Sequence, residues 1–90
     1  EGIQVLRHQI DEFDNQLLEL LAKRMRVCRE IGQYKKEHNM TVFQANRYNE
    51  ILEKRGAQAS LCGIDAECAA HIFELIHQES VRQQIEIINQ

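Results

Sequence analysis

Two cations occupy positions where a helix would normally bury an apolar side chain. The stretch LAKRMRVCREIGQYKK, residues 21–36, holds six of the eleven Lys and Arg residues of a chain whose formal net charge is −3. At about 100° per residue, Arg24 continues an apolar line that contains Leu17 and Leu20, and Lys35 follows three turns later on the same face. The two side chains are therefore expected to point the same way, about 16 Å apart along the helix.

No carboxylate is available to neutralise these two cations on their own face of the helix. Glu30, the acid between them in the sequence, lies off that face. Lys35 has an ordinary explanation by itself, since a Lys near a helix end can reach solvent. Taken together they predict an anionic ligand, because a buried charge without a partner is strongly destabilising.

Polar residues interrupt a second apolar line near the end of the chain. Ser80 and Gln84, four residues apart, lie on a line that runs from Phe73 and Ile76 towards Ile87. A buried polar group without a hydrogen bond costs about 1–3 kcal/mol, so both side chains need partners.

Two further arginines can be read in either of two ways. Arg47 lies one turn before Ile51 and could either face the ligand or pair with Glu50. Arg7 lies beside the apolar line of the first helix and could pair with Asp11 at i,i+4. Several cations with Ser and Gln together predict a pocket for a small polyanion that carries more than one carboxylate.

The sequence lacks the residue sets of most catalytic chemistries. It contains no Ser-His-Asp set, no paired carboxylates on one face and no Gly-rich phosphate loop. Cys62, Cys68 and His71 match no common zinc spacing, so we expect neither a metal nor a cofactor. A reaction here would depend on binding, conformation and electrostatics.

The periodicity predicts an all-α domain, residues 1–90, of three helices. The helices are expected over about 3–38, 44–55 and 66–88. Asn39 is a plausible left-handed residue after the first helix, and Asp65 a good N-cap for the third. The segment GAQASLCG, 56–63, is expected to be a loop with Gly at both ends.

The first helix is too long for a monomer to cover. Its 36 residues would span about 54 Å, whereas a globule of this size is roughly 30 Å across. An intertwined homodimer is the simplest arrangement that covers its apolar stripe, and a lone helical hairpin with an exposed end is the alternative. Three Cys without a CxxC pair, and the lack of a signal peptide or a membrane-spanning run, suggest a cytoplasmic protein.

Four segments make the chain resemble the all-helical, or type II, chorismate mutases. They are LRHQIDEFDNQLLELLAKR, IGQYKK, FQANRYNEIL and ESVRQQ, in this order and spacing. The resemblance covers essentially the whole chain and implies an intertwined dimer that converts chorismate to prephenate, in Phe and Tyr biosynthesis, without a cofactor. The stretch QANRYNEIL also resembles mutase domains fused behind 3-deoxy-D-arabino-heptulosonate 7-phosphate synthase, and a missing initiator Met fits such a domain.

The resemblance implies a role for each polar residue of the pocket. Arg24 would bind one substrate carboxylate, and Arg7 would bind the other from the partner subunit. Lys35 would bind a carboxylate and the ether oxygen of the breaking C–O bond. Gln84 would donate to the same oxygen from the opposite side, and Arg24, Lys35 and Gln84 would be the catalytic residues.

The remaining wall has polar and apolar members in the same family pattern. Arg47 and Ser80 would complete the polar wall, and Ile31 and Val81 would supply apolar lining. Family members often carry carboxylates where this chain has Gln44 and Tyr48, and one of these commonly binds the substrate hydroxyl. Either Gln44 or Tyr48 could form that hydrogen bond here.

Three other functions compete with a mutase. A pyruvate lyase acting on isochorismate would bind nearly the same dianion on the same fold. A nucleic-acid-binding helical dimer could use the basic stretch, but the net charge of −3 and the few aromatic residues argue against it. A purely structural dimerisation module would pair the same cations across its interface.

Overall fold

Three α-helices account for most of the chain in a computed structural model that describes residues 2–90. They are α1 (Gly2–Glu37), α2 (Ala45–Leu61) and α3 (Ala66–Ile88). The predicted all-α class, the three helices and the very long first helix are confirmed. No helix among the described residues combines the length and apolarity needed to cross a membrane.

Short polar turns end α1 and begin α3 as the sequence predicts. Asn39 adopts a left-handed conformation, with φ of 53°, and the next backbone N–H, of Met40, donates to the Lys35 carbonyl at 2.9 Å. The Asp65 side chain accepts a hydrogen bond of 2.9 Å from the Cys68 backbone N–H, which makes it the N-cap of α3. Both predicted helix boundaries are confirmed.

The predicted loop over residues 56–63 is wrong, because α2 continues to Leu61. Gly56 therefore lies inside the helix, where it weakens helix formation but does not end it. Two alanines follow within three residues, and the second of them, Ala59, is buried against the rest of the chain. The turn is confined to residues 62–65, and Gly63 supplies its left-handed residue with φ of 78°.

The third helix joins the other two. It packs against α1 and against α2, whereas α1 and α2 do not pack on each other within residues 2–90. The buried side chains of α3 include Ala69, Ser80 and Gln84, so two of its three most buried residues are polar. Because α3 forms the centre, its buried polar residues lie between the helices, and their position relative to α1 determines which side chains they contact.

The N-terminal half of α1 extends beyond the rest of the chain. Every residue from 2 to 20 is exposed, including Leu6, Ile10, Phe13 and Leu17 at 56–58%. The molecule measures 55 × 26 × 14 Å, and its radius of gyration of 16.2 Å exceeds the roughly 12 Å of a compact chain of this length. The chain leaves this apolar stripe uncovered.

The closest approach of α1 to α3 occurs at Gly32. A Cβ atom added at Gly32 would lie 3.0 Å from the Gln84 Cα, 3.3 Å from the Gln84 carbonyl oxygen and 3.3 Å from the Ile87 Cβ. Two of these neighbours are backbone atoms, which cannot rotate out of the way. A glycine is therefore required here for α3 to bring Gln84 against α1.

We predict opposite effects for alanine at two helical glycines. Gly32→Ala should lower the free energy of unfolding by about 1–3 kcal/mol, because α3 must shift at Gln84. Gly56→Ala should raise it by about 0.5–1 kcal/mol, since its new Cβ would meet atoms of Ala66 only at 4.0 Å and alanine favours helix. Urea unfolding at one protein concentration measures both, and a Gly32→Ala protein as stable as Gly56→Ala would contradict the close packing.

Candidate active site

A cavity of about 250 Å³ lies where the C-terminal half of α1 faces α3 and the start of α2. Four α1 residues at three- or four-residue steps form one wall: Arg24, Cys28, Ile31 and Lys35. Opposite them lie four residues of α3, namely His77, Ser80, Val81 and Gln84, with Val42, Gln44, Arg47 and Ile51 at the side. The predicted common face of Arg24 and Lys35 is confirmed.

Arg24 is held by the serine of α3. Its Nη1 donates to the Ser80 Oγ, and the Ser80 hydroxyl in turn donates to the Ile76 carbonyl at 2.8 Å. The Cys28 sulfur lies 3.8 Å from the same Arg24 nitrogen. The serine thus acts as a neutral acceptor that orients the guanidinium without cancelling its charge.

Lys35 is held by two neutral oxygens. Its Nζ donates to the Gln84 Oε1 at 2.8 Å and to the Val42 carbonyl at 2.7 Å. Burial lowers the pKa of Lys35, because removing the ammonium from water disfavours its charged form. With its oxygen engaged by Lys35, the Gln84 side chain has its two amide N–H groups left to donate.

Among the described residues, the cavity wall contains cations but no carboxylate. Its twelve residues include Arg24, Lys35 and Arg47 and neither Asp nor Glu. Arg47 pairs with Glu50 at 2.8 Å on the exposed side of α2, which is the ordinary partner that its spacing allowed. Hydrogen bonds from Lys54 and the charges of Lys54 and Arg47 lower the pKa of Glu50.

Two positive charges therefore remain unbalanced in the cavity. Within residues 2–90, no Asp or Glu oxygen lies within 4.0 Å of the charged nitrogens of Arg24 or Lys35. Ser80 and Gln84, the two polar residues of the third helix, supply neutral partners instead. The cations on the apolar face of α1 and the polar residues on the apolar face of α3 thus line the same cavity.

The structure does not bring every predicted site residue into the cavity. Arg7 lies in the exposed half of α1, 17 residues before Arg24 and so about 25 Å away along the helix. Gln44 lies in the wall, and its Nε2 donates to the carbonyl and hydroxyl oxygens of Thr41, both at 3.0 Å. Tyr48 lies behind the wall, where it lines an outer groove with Phe43.

His77 is a wall residue that the sequence analysis did not single out. It precedes Ser80, Val81 and Gln84 by three, four and seven residues, so a single helical face carries all four. Its ring centroid lies 4.5 Å from that of Tyr48 and 5.9 Å from that of Phe43. Its helical spacing to Ser80 and Gln84 is the sequence feature that could have predicted its place in the wall.

The imidazole of His77 is half-buried near two cations. Its Nε2 is buried and has no hydrogen-bond partner among the described residues. Burial, followed by the charges of Arg24 and Lys35, lowers the pKa of His77 below its ordinary value of about 6.5. The lowered pKa favours the neutral form of the ring.

Outside the cavity, a basic residue of α1 also contacts α3. The Arg29 Nη1 donates to the Gln83 Oε1 at 2.7 Å and to the Glu86 Oε1 at 3.2 Å. Gln83 donates in turn to Glu79, whose hydrogen bonds from Arg82 and Gln83 lower its pKa to about 2. These surface contacts hold α3 in register with α1 next to Gln84.

Comparison with known families decides how this cavity should be interpreted. The family model described as "Chorismate mutase type II" matches residues 6–85, which include every wall residue of the cavity. The chain belongs to the type II chorismate mutase family. The predicted resemblance is thereby confirmed at the level of the family.

Two of three relatives of this chorismate mutase family member have a mutase in their names. The chain is 31% identical over 85 residues to the "Bifunctional chorismate mutase/prephenate dehydratase" of Escherichia coli K12, covering 94% of this chain and 22% of that protein. It is 29% identical over 80 residues to the "T-protein" of Haemophilus influenzae, covering 89% of this chain and 21% of that protein. It is 28% identical over 88 residues to the "4-amino-4-deoxychorismate mutase" of Streptomyces pristinaespiralis, covering 98% and 68%.

The chain spans about a fifth of the length of the first two curated relatives it matches. The matching parts, of 80 and 75 residues, are segments of longer proteins. What those proteins do as a whole therefore does not transfer to this chain by similarity alone.

The position of Tyr48 behind the cavity wall leads to a prediction about chorismate consumption. Tyr48→Phe keeps the ring that packs on His77 and removes only the hydroxyl. We expect kcat/KM for chorismate to change by less than about threefold, below the effect of one lost hydrogen bond. A loss of about tenfold or more would show that the Tyr48 hydroxyl reaches the substrate.

Proposed function

We propose that the chain converts chorismate to prephenate in the cavity between α1 and α3. The observation that carries the proposal is the pair of cations, Arg24 and Lys35, which face one cavity in whose wall residues 2–90 place no carboxylate. Chorismate is a dianion, so its two carboxylates match the two unbalanced charges. The family assignment supports the same substrate.

The polar groups around the cavity suit a rearrangement that needs no nucleophile. As the C–O bond of the ether breaks and a C–C bond forms, negative charge grows on the ether oxygen. Lys35 and the amide of Gln84 are hydrogen-bonded to each other, so both can lie beside that oxygen. One donor placed in this way is worth about 3 kcal/mol of transition-state stabilisation, or roughly a hundredfold in rate.

The remaining wall residues would hold the substrate in its compact, diaxial form. Arg24, oriented by Ser80, would bind one carboxylate, and Arg47 would close the polar wall from α2. Ile31 and Val81 would pack against the ring. A bound conformation close to the transition state accounts for a large part of the rate enhancement when no covalent catalysis occurs.

The active form in this proposal is an intertwined homodimer with shared sites. The support is the exposed apolar stripe over residues 2–20, which the chain itself leaves uncovered. A second copy packed along the stripe would bury it and carry Arg7 to the cavity of the partner subunit. Arg7 would then bind the second carboxylate, and Lys35 would contact both a carboxylate and the ether oxygen.

The setting of the reaction is also a proposal. The chain would act in the cytoplasm, in the synthesis of Phe and Tyr, as one domain of a bifunctional protein. The stretch QANRYNEIL supports fusion to an N-terminal 3-deoxy-D-arabino-heptulosonate 7-phosphate synthase. The relative in Escherichia coli whose name describes a bifunctional enzyme supports fusion in general, with a different partner activity.

The direct test follows chorismate by ultraviolet absorbance and identifies the product by NMR. We expect catalysed loss of chorismate with prephenate as the only product. Release of pyruvate from isochorismate, with no prephenate from chorismate, would identify a lyase. No turnover of either compound would favour a purely structural dimer.

Mixing two inactive variants tests the shared site. Arg7→Ala and Arg24→Ala homodimers should both be poor catalysts, because each site would lack one carboxylate ligand. Random exchange of equal amounts should rebuild one complete site in each heterodimer and restore up to about a quarter of wild-type activity. Verified subunit exchange without recovery would contradict sites built from two chains.

Lys35→Ala should lower kcat more than it raises KM. The physical reason is that Lys35 would meet charge that develops only in the transition state. We expect kcat to fall about a hundredfold or more. Steady-state kinetics distinguish the alternatives, since an increase in KM alone would assign Lys35 to carboxylate binding.

Gln84→Glu should make activity depend on pH. A glutamate at this position donates to the ether oxygen only when protonated, and its ionised form would repel the growing charge there. Lys35, 2.8 Å from the present amide oxygen, would lower the pKa of that carboxyl, while the bound dianion would raise it.

The ratio of kcat/KM for Gln84→Glu to that for wild type should therefore be small at pH 8. It should rise as the pH falls towards 4.5, because that pH is close to the ordinary pKa of a glutamate, about 4.3. Taking the ratio removes titrations that both proteins share. Gln84→Ala, which has no donor at any pH, is the control and should show a constant low ratio. A constant ratio for Gln84→Glu would remove Gln84 as the donor.

A further inference from the structure

The cavity offers many hydrogen-bond donors and few free acceptors. Arg24, Lys35 and the Gln84 amide can all donate, and the wall contains no carboxylate. Several of its oxygens are already engaged: the Val42 carbonyl and the Gln84 Oε1 accept from Lys35, and the Ser80 Oγ accepts from Arg24. A ligand that itself donates a hydrogen bond therefore has little choice of partner.

Chorismate at neutral pH has one hydrogen-bond donor. Its carboxylates and its ether oxygen only accept, so its ring hydroxyl is the single group that must find an acceptor. Two wall residues carry a side-chain acceptor that receives no hydrogen bond from any described residue: His77 with its Nε2 and Gln44 with its Oε1. The Gln44 Nε2 donates to Thr41, and its Oε1 lies on an exposed side chain that water can satisfy, whereas the His77 nitrogen is buried and has no partner among the described residues.

We infer that His77 contacts the substrate, with its Nε2 accepting a hydrogen bond from the ring hydroxyl of chorismate. The assignment rests on the proposed function and adds a specificity residue to it. Tyr48 and Phe43 pack on the ring from outside the cavity and fix its orientation, so Tyr48 acts here through His77. The hydrogen bond satisfies the buried nitrogen, which otherwise lacks a partner.

The cationic surroundings are compatible with this role. An acceptor nitrogen must be unprotonated, and burial with the charges of Arg24 and Lys35 keeps the pKa of His77 low. A carboxylate in this place would bind the hydroxyl but would also neutralise the two cations. A neutral imidazole accepts a hydrogen bond from the hydroxyl and does not neutralise the two cations, so both can bind the dianion.

The test compares kcat/KM for chorismate and for its analogue in which hydrogen replaces the ring hydroxyl. Relative to wild type, His77→Leu should lose about tenfold or more on chorismate and little on the analogue, because the analogue has no donor to lose. His77→Gln places an amide oxygen near the former nitrogen and should recover most of the loss on chorismate. His71→Leu, the same replacement at an exposed position of α3, is the control for helix stability and should match wild type.

Three results would overturn the inference. Equal losses of His77→Leu on both substrates would show that the ring only packs against Tyr48 and Phe43. No loss on chorismate would remove the contact. If Gln44→Leu lost kcat/KM on chorismate but not on the analogue, and His77→Leu did not, the hydroxyl contact would belong to Gln44. By contrast, wild type that turns over neither compound would refute the proposed function itself, and the inference with it.

Discussion

Unneutralised positive charge between two helices is the constraint on which the rest of the structure depends. Within residues 2–90, the hydrogen-bond partners of Arg24 and Lys35 are neutral: Ser80, Gln84, the Cys28 sulfur and the Val42 carbonyl. A protein selected for stability alone would place apolar residues or an ion pair there, because an unpaired half-buried charge destabilises the folded state. The hydrogen bonds orient the cations without cancelling them, so the attraction for a dianion is kept.

The helices serve this arrangement at different points along their length. Gly32 lets α3 approach α1 closely enough for Gln84 to meet Lys35, and Arg29 fixes the register from the surface. The N-terminal half of α1 extends beyond the other two helices. It presents an uncovered apolar stripe, and Arg7 lies beside that stripe. One helix thus forms a site with its C-terminal half and, in the proposed dimer, completes a second site with its N-terminal half.

How much the sequence predicts differs between the helices and the cavity. Periodicity was sufficient for α1 and α3, because each has a long apolar line, and Asn39 after α1 and the N-cap Asp65 before α3 mark two of the boundaries. It failed at Gly56, where packing of Ala59 outweighs the poor helix propensity of one glycine. Helix propensity is a local property of the sequence and does not show which side chains, such as Ala59, pack against another helix.

The same difference holds within the site. Arg24, Lys35, Ser80 and Gln84 were predictable because polar side chains on an apolar line stand out in one dimension. His77 did not stand out, since histidine is common on partly exposed faces, and only the packing of Tyr48 and Phe43 shows that its nitrogen is buried. Tyr48 was expected beside Gln44 as an alternative ligand for the hydroxyl, and only the three-dimensional structure places it behind the wall.

Thermal unfolding of wild type and Arg24→Met, each with and without a dicarboxylate analogue of the transition state, tests the central claim most directly. If the cations are kept for a ligand, Arg24→Met should unfold at or above the wild-type temperature without ligand, because it removes an unpaired charge. The analogue should then raise the midpoint of wild type strongly and that of Arg24→Met little, as mass action requires when affinity is lost. An Arg24→Met protein that is clearly destabilised without ligand, yet gains as much stability from the analogue as wild type does, would contradict the account.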